Sequence, residues 1–237
     1  MPPRLYLPLP LQADAEPVLP PGPSRHAQVL RLQPGDALTL FNGDGGEWSA
    51  QVLRMGRSEV QVRVGEHHAI ERELDVQVTL AVGMPANERM DALIEKATEL
   101  GVAAIRPLVC ERSVLRIAGE RAQKKVEHWR GVAMAAAEHS GRTRVPEVAA
   151  VATLSDWLRG GAMPLQRYVL SLREGQAFDA VRAADALCFL SGPEGGLSEA
   201  EEGAARRAGF TPLSLGARVL RADTAPLAVL AALALRG

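Results

Sequence analysis

A chain of 237 residues, 47% hydrophobic and 23% charged, has the length of one large domain or two small ones and is too apolar to be disordered. Its 27 Lys+Arg against 28 Asp+Glu leave a formal charge of -1, which excludes a uniformly basic nucleic-acid coat and confines any RNA or DNA contact to a local surface. The longest apolar run, Leu227 to Leu235, is far too short for a membrane span, and Met1-Pro2-Pro3-Arg4 lacks the apolar core of a signal peptide, so a cytoplasmic protein without membrane contact is expected.

Eight of the 16 prolines fall in the first 23 residues, and each lacks the N–H that a ladder or helix interior needs, so this arm is predicted to be extended and loop-like. Period-two patterning starts at Ala37: Ala37 to Phe41, the turn Asn42-Gly43-Asp44-Gly45-Gly46, then Trp48, Ala50 and Val52, then Val60, Val62 and Val64. Pro34-Gly35 suits the central positions of a type II turn, and residues 1–72 are predicted to form an all-β meander or small barrel. The polar stretch Gly65 to Glu73 reads as a linker.

From residue 73 to 237 the periodicity mixes two and 3.6, the pattern of an α/β domain. Strands are predicted at Val76 to Val82, Val102 to Val109, Arg167 to Leu172, Ala186 to Leu190 and Leu213 to Leu215. One helix starts at Asn87, buries Met90, Leu93, Ile94, Ala97 and Leu100, and closes at Gly101; a second spans Glu120 to His139. A third starts at the Ser198 and Glu201 capping box, and a last runs from Asp223 or Thr224 to Leu235 with Pro226 in its first turn.

Cys110 and Cys188 lie in apolar segments and read as buried thiols. Cys110 to Arg116 has the C-x5-R spacing of a phosphate-binding thiolate loop but no glycine to turn its amides inward, and the adjacent His67 and His68 point to opposite sides of a strand; neither thiolate catalysis nor a metal is expected. Between Arg106 and Arg144, nine Lys/Arg stand against four Glu, which makes either a phosphate-attracting surface or a solvated helix face. The sharpest signal is Gly192-Pro193-Glu194-Gly195-Gly196 between an apolar strand and a capped helix, because ligands of open α/β sheets bind beyond the carboxyl ends of the strands. The loop matches neither phosphate-binding glycine fingerprint, and the Glu194 carboxylate repels a polyphosphate, so a neutral or cationic nucleoside fits it better. Leu213 to Arg221 makes a second strand-end loop able to face the same pocket, with a plain glycine turn or bent core strand as the alternative at each place.

A family resemblance runs through nearly the whole chain. It is carried by His26 with Val29-Leu30-Arg31 and Pro34-Gly35-Asp36; by Arg89-Met90 and Glu95 to Val102; by Pro107 with Arg112-Ser113; and by Ala136 to Arg142 with Val145-Pro146. Its most specific pieces are Gly192 to Ser198 and Leu215 to Arg221 with Thr224-Ala225. On these residues the sequence resembles the RsmE family of 16S ribosomal RNA (uracil-N3)-methyltransferases, within the SPOUT superfamily. It departs at His139, where the family commonly has Gln, at Asp223, where it commonly has Glu, and at Met84 to Asn87, where a basic residue is often found.

The resemblance implies an N-terminal PUA-like β-barrel over residues 1–72 that helps to hold RNA, and a SPOUT α/β methyltransferase domain over 73–237 with a C-terminal trefoil knot. It implies S-adenosylmethionine as cofactor, bound by Leu170, Leu172, Gly192, Pro193, Glu194, Gly195, Gly196, Leu215, Gly216, Val219, Leu220 and Thr224. The acceptor would be 16S rRNA in the small ribosomal subunit, touched by His26, Arg31, Arg89, Arg112 and Arg142, and the protein a homodimer with Leu227, Val229, Leu230 and Leu233 of the last helix available as contacts. Glu138 is the favoured general base over His139 and Asp223, with Arg142 and Arg221 stabilising charge on the uracil oxygens and no metal needed. A SPOUT enzyme acting on another RNA such as tRNA, and a non-catalytic RNA-binding protein, are the alternatives.

Overall fold

The computed structural model describes residues 2–160, 163–173, 175–181 and 184–236. The chain forms two compact units, Met1–Glu73 with Ala137–Val145, and Leu74–Ala136 with Pro146–Gly237.

In the first unit β1 (Arg4–Tyr6), β2 (Ala37–Phe41), β3 (Glu47–Met55) and β4 (Val60–His68) form one sheet in that order, parallel between β1 and β2 and antiparallel thereafter. Two register shifts in the β3–β4 ladder, between Trp48 and Ala50 and between Val52 and Arg54, are the irregularities that bend such a ribbon. The proline-rich arm is more ordered than its sequence suggests. It supplies β1, then runs along the free edge of β4, where Val64 N–H donates to Ala15 O at 2.9 Å and Leu19 N–H to Val60 O at 2.8 Å. It then enters helix α1 (Pro21–Val29). Proline is compatible with a helix in its first turn, where no N–H is required, and this is where Pro21 and Pro23 stand.

Inside the sheet Leu5, Leu7, Leu38, Leu40, Val52, Val60, Val62 and Val64 are buried, each contributing about 1.5–3 kcal/mol of burial. The expected turn at Pro34-Gly35 is present, with Gly35 at φ +96° and Asp36 N–H donating to Gln33 O at 3.0 Å. The stretch read as a linker is not free: β4 continues through His68, and Glu71 and Glu73 hold the segment near Arg142.

The second unit follows the order β5 (Gln77–Gly83), α2 (Asn87–Glu99), β6 (Ala104–Val109), α3 (Gly119–Ser140, its end from Ala137 belonging to the first unit), β7 (Glu147–Val148), β8 (Ala152–Thr153) and α4 (Leu154–Gly160). After these come β9 (Gln166–Leu170), β10 (Gln176–Ala177), a 3-10 turn at Phe178–Ala180, β11 (Ala186–Ser191), α5 (Glu199–Arg207), β12 (Thr211–Ser214) and α6 (Thr224–Ala234). Its strands make one parallel sheet in the order β10-β12-β9-β11-β5-β6-β7, with β8 also paired to β6. β5 and β11 lie at its centre, so Ala81 as well as Leu80 and Val82 is fully buried; this is why these strands read as apolar runs rather than clean alternations. The short elements β7, β8 and β10 were not predicted, because two-residue strands carry no periodicity, and neither was α4, which at seven residues spans only about two turns.

At the N-terminus of α2, Ala86 is the capping residue and makes no side-chain bond; the side chain of Asn87, expected to cap, lies outside the description. α5 starts as expected, with Ser198 Oγ accepting from Glu201 N–H at 3.2 Å and Glu201 Oε2 from Ser198 N–H at 3.0 Å. Asp223 precedes α6 without making a side-chain cap. Among the described residues no helix is long and apolar enough to cross a membrane, and no cluster of three His, Cys, Asp or Glu forms a metal site.

Candidate active site

The carboxyl ends of β9, β11 and β12 open into a cavity of about 360 Å³, the position at which parallel α/β sheets bind ligands. Its floor is made by Ser171 and Ser191 together with Pro193, Leu213 and Ala222, all buried. Its rim carries Leu172, Val219, Arg218 and Arg221, all exposed. The glycine loop reaches this place because the chain comes close to the end of β5: a Cβ on Gly83 would stand 2.6 Å from Pro193 N, so no larger residue fits there without moving backbone.

Leu170, Gly192, Gly196, Leu215, Gly216 and Leu220 line the same cavity, as does Glu194. The Glu194 carboxylate is held in place: Oε1 accepts from Ala86 N–H at 3.0 Å and lies 3.5 Å from Nη1 of Arg89, which also lines the cavity. Gly195 and Thr224 stand outside the lining; Gly195 offers its carbonyl to Arg112 Nη1 at 3.0 Å, and Thr224 is exposed at the start of α6. Ser171, Ser191 and Ala222 line the cavity without having been singled out in the sequence, while Leu213, Arg218 and Ala225 line it from within the marked segments without having been assigned to the cofactor. Ser171, Ser191 and Ala222 each adjoin a residue that was assigned to the site, so widening those stretches by one residue would have reached them.

Two buried polar atoms at or beside this cavity have no hydrogen-bond partner among the described residues, Ser191 Oγ and Asp223 Oδ1. Ser171, by contrast, donates to Glu202 Oε1 at 2.8 Å and accepts from Arg173 N–H at 3.2 Å.

Glu138 and Arg142 do not line this cavity; both belong to the first unit. Glu138 accepts the Tyr6 N–H at 2.8 Å through Oε1 and faces His26 Nδ1 at 3.0 Å through Oε2. Burial pushes its carboxyl above the usual carboxylate range, against the opposing pull of the Tyr6 amide and His26. Arg142 is 4% exposed, forks onto Glu73, and gives its carbonyl to Arg4 Nη2 at 2.9 Å. His139 is in the last turn of α3, and Arg31 is an exposed residue following α1 at φ +57°.

Much of the basic segment proves to be internal bonding. Arg106 pairs with Glu147, Arg130 donates to Val148 O at 3.1 Å, and Arg144 donates to Gly43 O at 3.1 Å. Among the described residues, Arg121, Lys124 and Lys125 on α3 have no ion-pair partner, so the solvent-facing positive charge is narrower than the residue count suggests.

A parallel sheet whose strand ends gather two glycine-bearing loops around an apolar-floored, cation-rimmed cavity suits a nucleoside-dependent enzyme. The family model described as "RNA methyltransferase domain" matches residues 72–234, and that described as "RNA methyltransferase PUA domain" matches residues 24–65; the chain is an RNA methyltransferase. It is similar to ribosomal RNA small subunit methyltransferase E of Synechocystis sp., 35% identical over 86% of this chain and 67% of that one, and to the Bacillus subtilis protein of the same name, 34% identical over 86% and 84%. Among solved structures it is similar to ribosomal RNA small subunit methyltransferase E from Neisseria gonorrhoeae bound to S-adenosylmethionine, with TM-score 0.92 and 33% identity over 100% of this chain and 98% of that one. The chain belongs to the ribosomal RNA small subunit methyltransferase E family.

Proposed function

We propose that this protein methylates N3 of a uridine in 16S rRNA of the small ribosomal subunit, with S-adenosylmethionine as methyl donor, and that it works in the cytoplasm as a homodimer. The observation that carries this reading is the cavity at the carboxyl ends of β9, β11 and β12 in a chain of this family. The residues present fit the cofactor: a buried hydroxyl at Ser191 without a partner among the described residues, buried apolar side chains for a flat base, and the carboxylate of Glu194, which tolerates a cation and repels a polyphosphate. On this reading Gly192 to Gly196 and Leu215 to Arg221 are the two sides of a trefoil knot.

When bound, S-adenosylmethionine supplies an electrophilic methyl group on a cationic sulfur. The chain has three tasks. It holds donor and acceptor in line, which itself contributes much of the acceleration. It stabilises negative charge developing on the uracil oxygens, for which exposed Arg221 at the cavity rim is placed and has no ion-pair partner among the described residues. It also takes up the N3 proton, which needs a base within hydrogen-bond reach.

Asp223, in the segment that lines the cavity, has a buried oxygen with no hydrogen-bond partner among the described residues, suited to that last task. Glu138 and Arg142, outside the cavity of their own copy, would serve an acceptor bound to a second copy in the dimer. His26, Arg31, Arg89 and Arg112 would contact RNA around the target uridine, which has to be unstacked to expose N3.

The test is transfer from labelled S-adenosylmethionine to unmodified small subunits, naked 16S rRNA and tRNA in parallel, with the product mapped by mass spectrometry. One N3-methyluridine in 16S rRNA is expected, and Arg221→Ala should lower the single-turnover rate about 100-fold with cofactor affinity little changed. Modification of tRNA instead, or cofactor binding without transfer to any RNA, would overturn the reading.

A further inference from the structure

Ser191 is the last residue of β11, a strand hydrogen-bonded to β9 on one side and β5 on the other, so its side chain is placed by the sheet rather than by a loop. The residue is 3% exposed, lines the cavity, and its Oγ has no hydrogen-bond partner among the described residues. A hydroxyl buried without a partner destabilises the chain that carries it, and such violations concentrate where a ligand completes the bonding. Ser171, the other hydroxyl of the lining, already gives its proton to Glu202 and accepts from Arg173 N–H, so it cannot donate to a ligand without giving up the Glu202 bond.

The surroundings restrict which portion of a ligand lies against Ser191. Apart from the two serines, the buried members of the lining, Pro193, Leu213 and Ala222, are apolar and uncharged, whereas the charged members Glu194, Arg218 and Arg221 are exposed and Arg89 is half-buried. A charged ammonium or carboxylate is costly against the floor and well served at the rim, while an uncharged ring with polar edges suits the floor.

We propose that Ser191 is a cofactor-binding residue whose hydroxyl hydrogen-bonds the uncharged nucleoside part of S-adenosylmethionine, leaving the amino-acid tail at the rim; this rests on the methyltransferase reading above. A neutral hydrogen bond of this kind corresponds to about a tenfold change in affinity.

The experiment titrates the full chain and Ser191→Ala calorimetrically with S-adenosylhomocysteine and with 5′-methylthioadenosine, which keeps the nucleoside and lacks the amino-acid tail. It also records the thermal midpoint of each protein without ligand. The expected result is a loss of about tenfold for both ligands, with a ligand-free midpoint equal to or above that of the unaltered chain, because the variant removes an unsatisfied group. Unchanged affinity for both ligands would overturn the proposal, and a loss confined to S-adenosylhomocysteine would overturn it by placing the hydroxyl against the tail. A lowered midpoint would overturn it by giving the hydroxyl a structural partner. Failure of the unaltered chain to bind either ligand would overturn the cofactor reading itself, and this inference with it.

Discussion

At the scale of single residues, burial decides chemistry that side-chain identity leaves open. Cys110 and Cys188 are buried and unpaired, and burial pushes both thiols up to about 12, with the Glu201 charge adding to the effect at Cys110. Neither should react with Ellman's reagent in the folded protein while both react after denaturation; rapid labelling of Cys110 in the native state would revive the C-x5-R loop as a reactive site.

Glu138 gives a prediction of opposite kind, about pH. Burial raises its carboxyl above the ordinary value of 4.5, so the folded state binds the proton more tightly than the unfolded chain does. Its contribution is therefore most favourable below about 4.5 and declines as pH rises toward the raised folded value. Glu138→Gln, which keeps an acceptor for the Tyr6 amide, should gain in relative stability across that window when urea unfolding is followed from acid to neutral pH. A difference between the two proteins that does not vary with pH would remove burial as the governing effect.

At the scale of elements, termini were better specified by local sequence than by hydrophobic period. The Ser198 box is complete, and Glu201 does double duty, since its Oε1 also accepts the Glu111 N–H at 2.7 Å and ties α5 to the loop after β6. Ser198→Ala should cost about 1 kcal/mol and lower the thermal midpoint by about 2–4 °C, measurable by calorimetry. A midpoint unchanged within error would mean that Glu201 alone secures that end. α1 shows the converse: its prolines read as a loop, and only the tolerance of a first helical turn for proline reconciles them with a helix.

At the scale of the whole molecule, the longer strands of both sheets and the long helices followed from period two and period 3.6, because a buried face imposes its repeat on the residues that fill it. The glycine loop and the Leu215 to Arg221 segment were legible for the same local reason: a close approach of backbone, or a break in an apolar strand, leaves its mark on residue choice. What pattern could not give was partnership across sequence. Arg106, Arg142 and Arg144 counted as surface charge until Glu147, Glu73 and Glu71 were found beside them. Ala137–Val145 joins the first unit although it follows the long stretch of the second, through bonds to Tyr6, Glu71 and Glu73 that no periodicity encodes.

The sequence by itself determined the family, the two kinds of periodicity and the loops at the strand ends, since each depends on residues near one another in the chain. Only the tertiary structure decided that Glu138 and Arg142 are engaged in the first unit while Ser191, in the cavity lining, has no hydrogen-bond partner among the described residues. Hydrogen-bond satisfaction is a property of residues brought together from distant parts of the chain, and a buried polar atom is satisfied or orphaned only once all of them are in place.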